Sequence, residues 1–345
     1  MKKFTKQLEK DTLEIRYRKF ESYKSVNLEN LRPKDSYGKL LESRTHSIDQ
    51  FIKDYGRIPS DLLAHRACPN CSGGGKIKEL SKDHLELVRC KDCDLVYVDP
   101  IFNEEHYKNA YKSQEYQQVV RDLGEESHCY RVQRFGVERV EVMKKYLRSV
   151  GPPCFLDIGC STGFVVEAAR LAGWDAQGID LNPSAVEFGR RRGLELQNIA
   201  LQDLDAQSAT FDAIGLFDVL EHVVEPKKLL ERSIYLLKPG GIIFLYVPNY
   251  DSASRLLMGK EAHFIWPTHH LTYFTPITVK KFIESMGLKL EMMVTEGLDI
   301  FDYIWAQEHI HGKKMQVVSE IADRLQFFIN GALWGKNLRV LARIL

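Results

Sequence analysis

Short apolar runs alternate with amphipathic stretches through the second half of this chain. Runs typical of buried strands lie at 154–158, 176–179, 213–217 and 242–247, and helical patterns follow the first three at 164–171, 183–193 and 226–237. Strands that alternate with helices form a parallel sheet with helices on both faces. The pattern predicts an α/β fold over 151–345, completed by strands at 288–294 and 338–344 with a helix inserted between them.

The first 150 residues lack this alternation. Ile48, Phe51, Ile52 and Tyr55 repeat at the spacing of one helical face, so residues 1–66 are predicted to form a helical segment. Residues 67–100 hold strand-forming runs between paired cysteines. Residues 101–150 are first rich in tyrosine and then helical, and they are predicted to connect the two parts and to act as a substrate lid.

Four of the seven cysteines form two C-x2-C pairs, Cys68 with Cys71 and Cys90 with Cys93. A two-residue gap lets both thiolates of a pair face one ion, and two pairs complete a tetrahedral shell. The spacing therefore predicts a zinc ribbon. Four protein ligands leave no open position, so this Zn2+ is expected to be structural. A redox pair is the alternative, but no thioredoxin-like unit follows either pair.

Composition and charge narrow the class of protein. With 44% hydrophobic and 28% charged residues the chain is globular, and its formal net charge is +1. A near-neutral chain is not expected to bind nucleic acid. The sequence has no apolar run of about eighteen residues, and its N-terminus is charged. Neither a membrane span nor a signal peptide is predicted, and the expected location is cytoplasmic.

A glycine-containing loop follows the first predicted strand. Gly159 and Gly163 allow a sharp turn and a close ligand approach, and the next helix directs its N-terminal N–H groups to the same place. Asp180 ends the second strand, where a carboxylate can accept hydrogen bonds from both hydroxyls of a ribose. Asp203 lies in ALQDL at 200–204, between the apolar runs at 176–179 and 213–217. The loop predicts a nucleoside-containing cofactor, with a nicotinamide dinucleotide as the alternative.

Several motifs together carry a family resemblance: LDIGCSTG at 156–163, DVLEHV at 218–223, LKPGG at 237–241, VPN at 247–249 and HLTYFT at 270–275. Over about residues 68–345 the chain resembles a class I S-adenosylmethionine-dependent methyltransferase with an N-terminal zinc ribbon, of the kind that modifies sugars and other small molecules. It departs from the family at Ser161, where a glycine is usual. The resemblance implies a Rossmann-like, seven-stranded methyltransferase sheet beside a helical N-terminal segment and a small zinc ribbon.

The resemblance also implies which residues hold S-adenosyl-L-methionine. Asp157 and Gly159 would lie near its amino-acid moiety, and Asp180 would hold its ribose. Asp203 and the backbone of Leu204 would hold the adenine. The rest of the expected cofactor set comprises Gly163, Leu181, Phe217 and Asp218, the last two beside the methionine end. A sulfonium cation needs carboxylates and carbonyls nearby, and these residue types agree with that need.

Two histidines are candidate general bases, since neutral imidazole suits proton transfer near pH 7. His270 is predicted to deprotonate the acceptor, with Tyr273 as its orienting hydroxyl, while His222 is equally compatible with a structural role. The loop 248–275 also holds His263 and His269. Imidazoles suit zinc, iron and nickel, but no Asp or Glu lies between His263 and His270, so no metal site is expected in this loop.

The predicted function is methyl transfer from S-adenosylmethionine to oxygen or carbon of a small-molecule acceptor, such as a nucleotide-linked sugar or another biosynthetic intermediate. An RNA methyltransferase that uses its ribbon for recognition is one alternative, and a non-catalytic cofactor-binding scaffold is another. The inserted helix around 315–329 is predicted to add substrate contacts or a dimer surface, so a homodimer is compatible with the sequence.

Overall fold

A computed structural model describes residues 2–8, 11–17, 24–31, 48–103, 105–107 and 124–345. In chain order the strands are β1 (Lys2–Leu8), β2 (Asp11–Tyr17), β3 (Leu63–Ala64), β4 (Lys76–Lys82), β5 (Leu85–Cys90), β6 (Val96–Val98), β7 (Ile101–Phe102), β8 (Cys154–Ile158), β9 (Asp175–Ile179), β10 (Glu195–Gln197), β11 (Phe211–Phe217), β12 (Leu237–Pro248), β13 (Thr272–Tyr273), β14 (Leu288–Glu296) and β15 (Asn337–Ile344).

The helices complete the described part of the chain. They are α1 (Leu28–Leu31), α2 (48–55), α3 (124–144, with a π-helical turn at Val132–Gly136), α4 (Phe164–Leu171), α5 (Pro183–Arg191), α6 (Pro226–Leu236), α7 (Ala253–Met258), α8 (Pro276–Ser285), α9 (Asp299–His309), α10 (Gln316–Glu320) and α11 (Ala322–Gly331). None of these described helices combines the length and the apolar character that crossing a membrane requires.

Seven strands form the central sheet, in the order β10–β9–β8–β11–β12–β15–β14. The first five run parallel to their neighbours, while β15 is antiparallel to both β12 and β14. Separate apolar clusters pack against the sheet, as expected where helices cover both faces. The predicted α/β fold and its seven-stranded methyltransferase sheet are confirmed.

Local sequence signals explain where the sheet's helices begin. Asn182 caps α5, since its side chain accepts a hydrogen bond from the N–H of Ala185 at 3.0 Å, and Pro183 occupies the first helical position. Thr275 and Thr278 form a reciprocal capping box at the start of α8. These caps fix the directions in which the chain leaves the sheet.

The zinc-ribbon segment forms a four-stranded sheet of its own, in the order β13–β6–β5–β4. Strand β13 comes from the loop after β12, about 175 residues along the chain, and pairs Thr272 with Tyr97 and Tyr273 with Val96. Leu85 and Leu87 of β5 are fully buried in an apolar cluster that includes Tyr273. The ribbon therefore shares its core with the histidine-containing loop.

The prediction of a helical segment over 1–66 is wrong for residues 2–8 and 11–17. Strands β1 and β2 form an antiparallel hairpin in which Lys2 lies opposite Tyr17. The strict alternation of Leu13, Ile15 and Tyr17 with charged residues is a strand pattern. Helix α2 covers the 48–55 stretch that carried the helical prediction. Most of residues 18–47 lie outside the described part of the chain.

The predicted connection and lid over 101–150 is described only in part. Helix α3 spans 124–144, close to the helix expected from the sequence. Tyr107 is buried in the cluster shared by the ribbon, whereas Tyr111 and Tyr116 lie outside the described residues. The inserted C-terminal helix is found as α9, α10 and α11, between β14 and β15.

Candidate active site

A cavity of about 930 Å3 lies at the carboxyl ends of β8, β9, β11 and β12. The strand order reverses between β8 and β11, so the loops after these two strands turn away from each other. Ligands in open α/β sheets bind in the crevice that this leaves. Ligand pockets measure about 300–1,000 Å3, and this cavity lies near the upper end of that range.

The loop after β8 takes its shape from left-handed backbone positions. Gly159 has φ +72°, and a methyl group there would lie 2.4 Å from the side chain of Val219. Ser161, where the family usually has glycine, is also left-handed at φ +52°. Gly163 has φ +78° and does not line the cavity, because it packs against Leu194 instead. Gly163 thus shapes the loop, which corrects its expected place in the cofactor set.

Asp180, at the end of β9, holds this loop in place. One carboxylate oxygen accepts the N–H of Ser161 at 2.7 Å, and the other accepts the N–H of Asn182 at 2.7 Å. A carboxylate offers about four acceptor sites, so both oxygens retain capacity for a ligand hydroxyl. Burial raises the pKa of Asp180, and these backbone hydrogen bonds oppose the rise. Asp180 and Leu181 both line the cavity.

Asp157 and Arg139 line the cavity with unsatisfied polar atoms. Asp157 is 2% exposed, and its Oδ1 has no hydrogen-bond partner within the part of the chain that the structure describes. Burial raises the pKa of Asp157 to about 8, against the opposing charge of Arg139. The Arg139 guanidinium lies 4.2 Å from the centre of the Phe217 ring, and its Nη1 also lacks a partner. A buried acceptor and a buried donor left in this way suit a zwitterionic ligand.

The cavity wall beyond β10 differs from the one expected. Ala200, Leu201 and Gln202 line the cavity, whereas Asp203 and Leu204 do not. The 3-10 turn Leu201–Asp203 is responsible, since it points the exposed Asp203 away and buries Leu204 in the core. The predicted contacts of Asp203 and Leu204 with an adenine therefore do not fit this geometry.

Phe217 and Asp218 line the cavity at the end of β11. Asp218 has a left-handed φ of +58°, and its N–H donates to the carbonyl of Tyr246 at 2.8 Å. Asp218 is exposed toward the cavity. Desolvation by the surrounding protein raises the pKa of Asp218, while the charge of Arg139 opposes the rise.

His222 and His270 meet in the same cavity. Their rings lie 4.7 Å apart in an edge-to-face arrangement. The Nδ1 of His222 is 3.0 Å from the carbonyl of His269, and the Nδ1 of His270 is 2.8 Å from the carbonyl of Phe264. Because a carbonyl only accepts, each Nδ1 carries the proton. In the neutral rings, Nε2 is then the basic nitrogen of both side chains.

Tyr273 does not act as an orienting hydroxyl for His270. It is fully buried and does not line the cavity, and its ring centre lies 6.3 Å from that of His270. Its hydroxyl accepts the N–H of Trp266 at 3.0 Å. Since β13 pairs with the ribbon, Tyr273 faces the ribbon core, and its role is to hold the loop that carries Trp266. The predicted catalytic role of Tyr273 is therefore corrected.

The side chains of His263 and His269, the other two histidines of this loop, contact Asp302 and Trp266. The ring of His269 stacks on that of Trp266 at 3.9 Å. His263 lies with its Nδ1 3.5 Å from a carboxylate oxygen of Asp302. The side chains of His263 and His269 thus contact other residues. His270 instead groups with His222 from the neighbouring loop.

Cys68, Cys71, Cys90 and Cys93 form a compact cluster whose ligand atoms all lie within 4.8 Å of one another. The Sγ atoms of Cys68 and Cys93 are 3.5 Å apart, and those of Cys71 and Cys90 are 3.4 Å apart. Four thiolates about 2.3 Å from one ion would be separated by roughly 3.8 Å, so the cluster fits tetrahedral zinc. Burial raises the pKa of the Cys68 thiol, which is the cost that a bound cation offsets.

Arg66 joins the ribbon to the histidine loop. Its guanidinium donates to the carbonyl of Leu271 at 2.5 Å and to that of Val224 at 3.0 Å. The N–H of Leu271 in turn donates to the carbonyl of Glu221 at 2.7 Å. The residues that flank His222 and His270 in sequence are therefore held by the ribbon side of the molecule.

Sequence reasoning missed two residues of the cavity region, Arg139 and Glu221. Arg139 interrupts an apolar helical face that includes Val140 and Met143, and a lone arginine on such a face is the available signal. Glu221 is fully buried, although it belongs to the motif DVLEHV at 218–223. A glutamate beside a histidine within an apolar stretch was the signal for it.

A family model described as a methyltransferase domain matches residues 130–292. This range begins within α3 and ends within β14, so it contains the glycine loop, Asp180, His222 and His270. The four-cysteine cluster precedes it. The matched range therefore coincides with the cavity and its strands.

Curated relatives extend this match. The chain is 32% identical to the ubiquinone biosynthesis O-methyltransferase of Xanthomonas axonopodis pv. citri (strain 306), over 44% of this chain and 69% of that protein. It is 33% identical to the protein of the same name from Xylella fastidiosa (strain 9a5c), over 39% of this chain and 61% of that protein. The chain thus spans about three fifths of the length of the latter relative.

Solved structures of similar fold include a SAM-dependent methyltransferase from Archaeoglobus fulgidus. It is 17% identical with a TM-score of 0.43, and the match covers 69% of this chain and 98% of that one.

Proposed function

The chain belongs to the class I S-adenosylmethionine-dependent methyltransferases, and from that premise we propose that it transfers the cofactor's methyl group to a hydroxyl of a small-molecule acceptor. The observation that carries the proposal is one cavity that joins two sets of groups. Unsatisfied Asp157 and Arg139 line one part of it, and the paired histidines His222 and His270 line another.

The cofactor set fits the chemistry of S-adenosylmethionine. Asp180 keeps acceptor capacity on both oxygens for the two ribose hydroxyls. Asp157 has an unpartnered oxygen for the amino group, and Arg139 has an unpartnered nitrogen for the carboxylate. Leu181 and Leu201 supply apolar surface for the adenine. When bound, the cofactor supplies a methyl group on a positively charged sulfur.

The residues of the chain position the acceptor and remove its proton. The acceptor oxygen attacks the methyl carbon in line with the carbon–sulfur bond, whose electron pair stays on sulfur as that bond breaks. The acceptor's proton leaves to the basic Nε2 side of the His222–His270 pair. Holding the reactants in line can supply several kcal/mol, up to roughly 7–11, of the barrier reduction.

The acceptor side of the cavity favours a molecule with an apolar body. Phe264, Trp266, Met292 and Phe327 line the cavity, and aromatic side chains pack against sugar or aromatic rings. Similarity to proteins named for ubiquinone biosynthesis supports a ring-bearing hydroxyl compound, and a nucleotide-linked sugar is the second acceptor class to test.

We also propose that the four-cysteine cluster binds one structural Zn2+ per chain. The thiol separations and the four-ligand closure of the site support this. The role of the ion would be to hold the ribbon together rather than to take part in methyl transfer.

Formation of S-adenosylhomocysteine with a panel of acceptors tests the proposed function. Catechols, phenols and nucleotide-linked sugars are offered with the cofactor, and the product is measured by mass spectrometry. Methylation of at least one hydroxyl compound is expected. Turnover with structured RNA alone would contradict the acceptor class, and cofactor binding without turnover on any acceptor would favour a scaffold.

A further inference from the structure

His222 and His270 line the cavity, and the buried side chain of Glu221 lies beside them. One ligand atom of each lies within 4.8 Å of those of the other two. Glu221 and His222 follow β11, while His270 lies in the loop after β12, and the backbone bond from Leu271 to Glu221 ties the two segments together. The loop containing His270 has no carboxylate among its histidines, and Glu221 supplies one from the neighbouring segment.

The two imidazoles are oriented as metal-bound histidines are. Each Nδ1 donates its proton to a backbone carbonyl, at 3.0 Å for His222 and 2.8 Å for His270. Histidine ligands almost always donate their second ring N–H to a carbonyl, carboxylate or water, since this fixes the ring and its tautomer. Nε2 is then the ligating nitrogen, and that of His222 lies 3.9 Å from a carboxylate oxygen of Glu221.

Glu221 carries a buried carboxyl group. Its side chain is 0% exposed, and neither carboxylate oxygen accepts a hydrogen bond from another of the described residues. Buried polar groups are nearly always partnered, so a carboxyl group left in this state indicates a ligand that completes it.

We propose that Glu221, His222 and His270 bind one divalent transition-metal cation beside the acceptor hydroxyl. Two imidazoles and one carboxylate suit zinc, manganese, iron(II) or cobalt, and three protein ligands leave coordination positions open. Donors about 2.1 Å from one ion lie roughly 3.0–3.5 Å apart, so side-chain rotations bring the three groups closer by about 1 Å. This site is distinct from the four-cysteine cluster, which offers no open position.

The cation refines the proposed methyl transfer, on which this role depends. A divalent ion lowers the pKa of a hydroxyl placed against it, so the acceptor proton passes to solvent and the imidazoles serve as ligands. The acceptor oxygen then forms its bond to the methyl carbon, and the pair of the broken carbon–sulfur bond stays on sulfur. No oxidant or reductant is needed.

Mn2+ binding to the full chain, with its cysteine cluster loaded with zinc, tests the site without relying on turnover. Free Mn2+ is measured by electron paramagnetic resonance during titration, because the bound ion loses the sharp signal of the hexaaqua ion. One Mn2+ per chain is expected to bind in addition to the zinc. Glu221→Gln, which keeps shape and removes charge, should weaken this binding at least about tenfold. Glu225→Gln, an exposed carboxylate nearby, is the matched control and should leave binding unchanged.

Different outcomes test the proposed metal site and the proposed methyl transfer. If wild-type protein binds no Mn2+, Co2+ or Zn2+ beyond the cysteine cluster, the metal site is overturned, whatever its variants do. Binding that survives Glu221→Gln and His222→Asn alike would overturn it equally. Methyl transfer that continues after all added metal is removed contradicts the metal's role but leaves the proposed function intact. Cation binding at Glu221 in a protein that methylates no acceptor supports the site and contradicts the proposed function.

Discussion

At the scale of single residues, unsatisfied buried groups lie in or beside the cavity. Among the described residues, Asp157 and Arg139 each have a polar atom without a hydrogen-bond partner, and Glu221 has two. Such an atom costs about 1–3 kcal/mol of stability when it stays unpaired. Asp157 and Arg139 line the cavity and Glu221 lies beside His222, which also lines it, so ligands that complete these atoms should stabilise the fold as well as enable chemistry.

Cofactor binding is expected to release a proton from Asp157. With a pKa of about 8, its carboxyl group is mostly protonated in the free protein at pH 7. The cofactor's ammonium favours the ionised form, so binding should release about one proton and affinity should rise with pH up to about pH 8. Above that pH the ammonium itself loses its proton. Calorimetry in buffers of different ionisation enthalpy measures the released proton.

Asp157→Asn provides the control for this pH dependence. Asparagine keeps the shape of the side chain but does not titrate, so proton release should fall and the affinity should become nearly independent of pH below 8. An unchanged proton release in Asp157→Asn would show that another group titrates on binding. It would remove Asp157 from the amino-group site.

Replacement of His270 is expected to impair turnover more than cofactor binding. His270→Ala should lower kcat by about 100- to 10,000-fold, because it removes a side chain that contacts the acceptor's proton or the cation beside it. The contacts of Asp180 with Ser161 and Asn182 do not involve His270, so cofactor affinity should stay within about twofold. Steady-state kinetics with calorimetry measures both quantities.

His309→Ala is the matched control, since His309 is exposed on α9, away from the cavity lining. It should leave kcat unchanged. Near-full turnover in His270→Ala would contradict the placement of the acceptor beside the histidine pair.

Residue-level prediction from the sequence succeeded where a strand end fixes position. Asp180 was expected at the cavity because it ends the second strand, and the family resemblance placed Asp157 and Asp218 there; all three line the cavity. Asp203 lies in a turn, whose direction no periodicity determines, and it points away. Tyr273 was misassigned because its pairing partner, Val96, is far away in sequence.

At the scale of elements, the ribbon stabilises the acceptor loop. Strand β13 is an edge strand of the ribbon sheet, and Arg66 bonds the carbonyl of Leu271 directly after His270. The glycine loop and Asp180 instead depend on β8 and β9. Loss of the ribbon should therefore affect the acceptor end of the cavity more than the cofactor end.

Removal of the proposed zinc is expected to affect the acceptor end of the cavity more than the cofactor end. Cys90→Ser should lose the ion and lower kcat at least about tenfold, because the loop that carries His270 loses its partner strand. Cofactor affinity should change by less than about threefold. Zinc content, calorimetry and kinetics on the same preparation measure the three effects.

Cys129→Ser is the control, since Cys129 is exposed and outside the cluster. It should retain zinc and turnover. Equal loss of cofactor binding and turnover in Cys90→Ser would show that the ribbon supports the whole fold. Full turnover without zinc would contradict the proposal that the zinc-bound ribbon holds the loop that carries His270.

Prediction of elements from sequence was limited by pairing over long distances. The two cysteine pairs predicted the ribbon, because their spacing is a local signal in the sequence. The addition of β13 to its sheet depends on contacts between Thr272 and Tyr97, which no local pattern reveals. At the N-terminus, a helical pattern in 48–55 was extended over a hairpin whose own alternation at Leu13 to Tyr17 favours strands.

At the scale of the whole molecule, alternation of strands and helices was enough to predict the sheet. Four of the five parallel strands were predicted from the βα succession, β10 was not, and the last two strands were located from the sequence pattern. The cavity's location follows from the reversal of strand order at β8 and β11. The size and the acceptor wall of the cavity do not follow from it, because α11 and the loop after β12 line the cavity through contacts between distant segments.

The central claim is that this cavity binds S-adenosylmethionine through Asp180, and calorimetry of wild type and Asp180→Ala tests it most directly. Wild type should bind S-adenosylmethionine and not NADH. Asp180→Ala should lose two charge-assisted bonds of about 1.5–3 kcal/mol each, and so weaken binding by one to several orders of magnitude. Asp203→Ala, the exposed residue that the cavity leaves out, should bind within about twofold of wild type. Equal affinity in folded Asp180→Ala, or no binding by wild type, would contradict the claim.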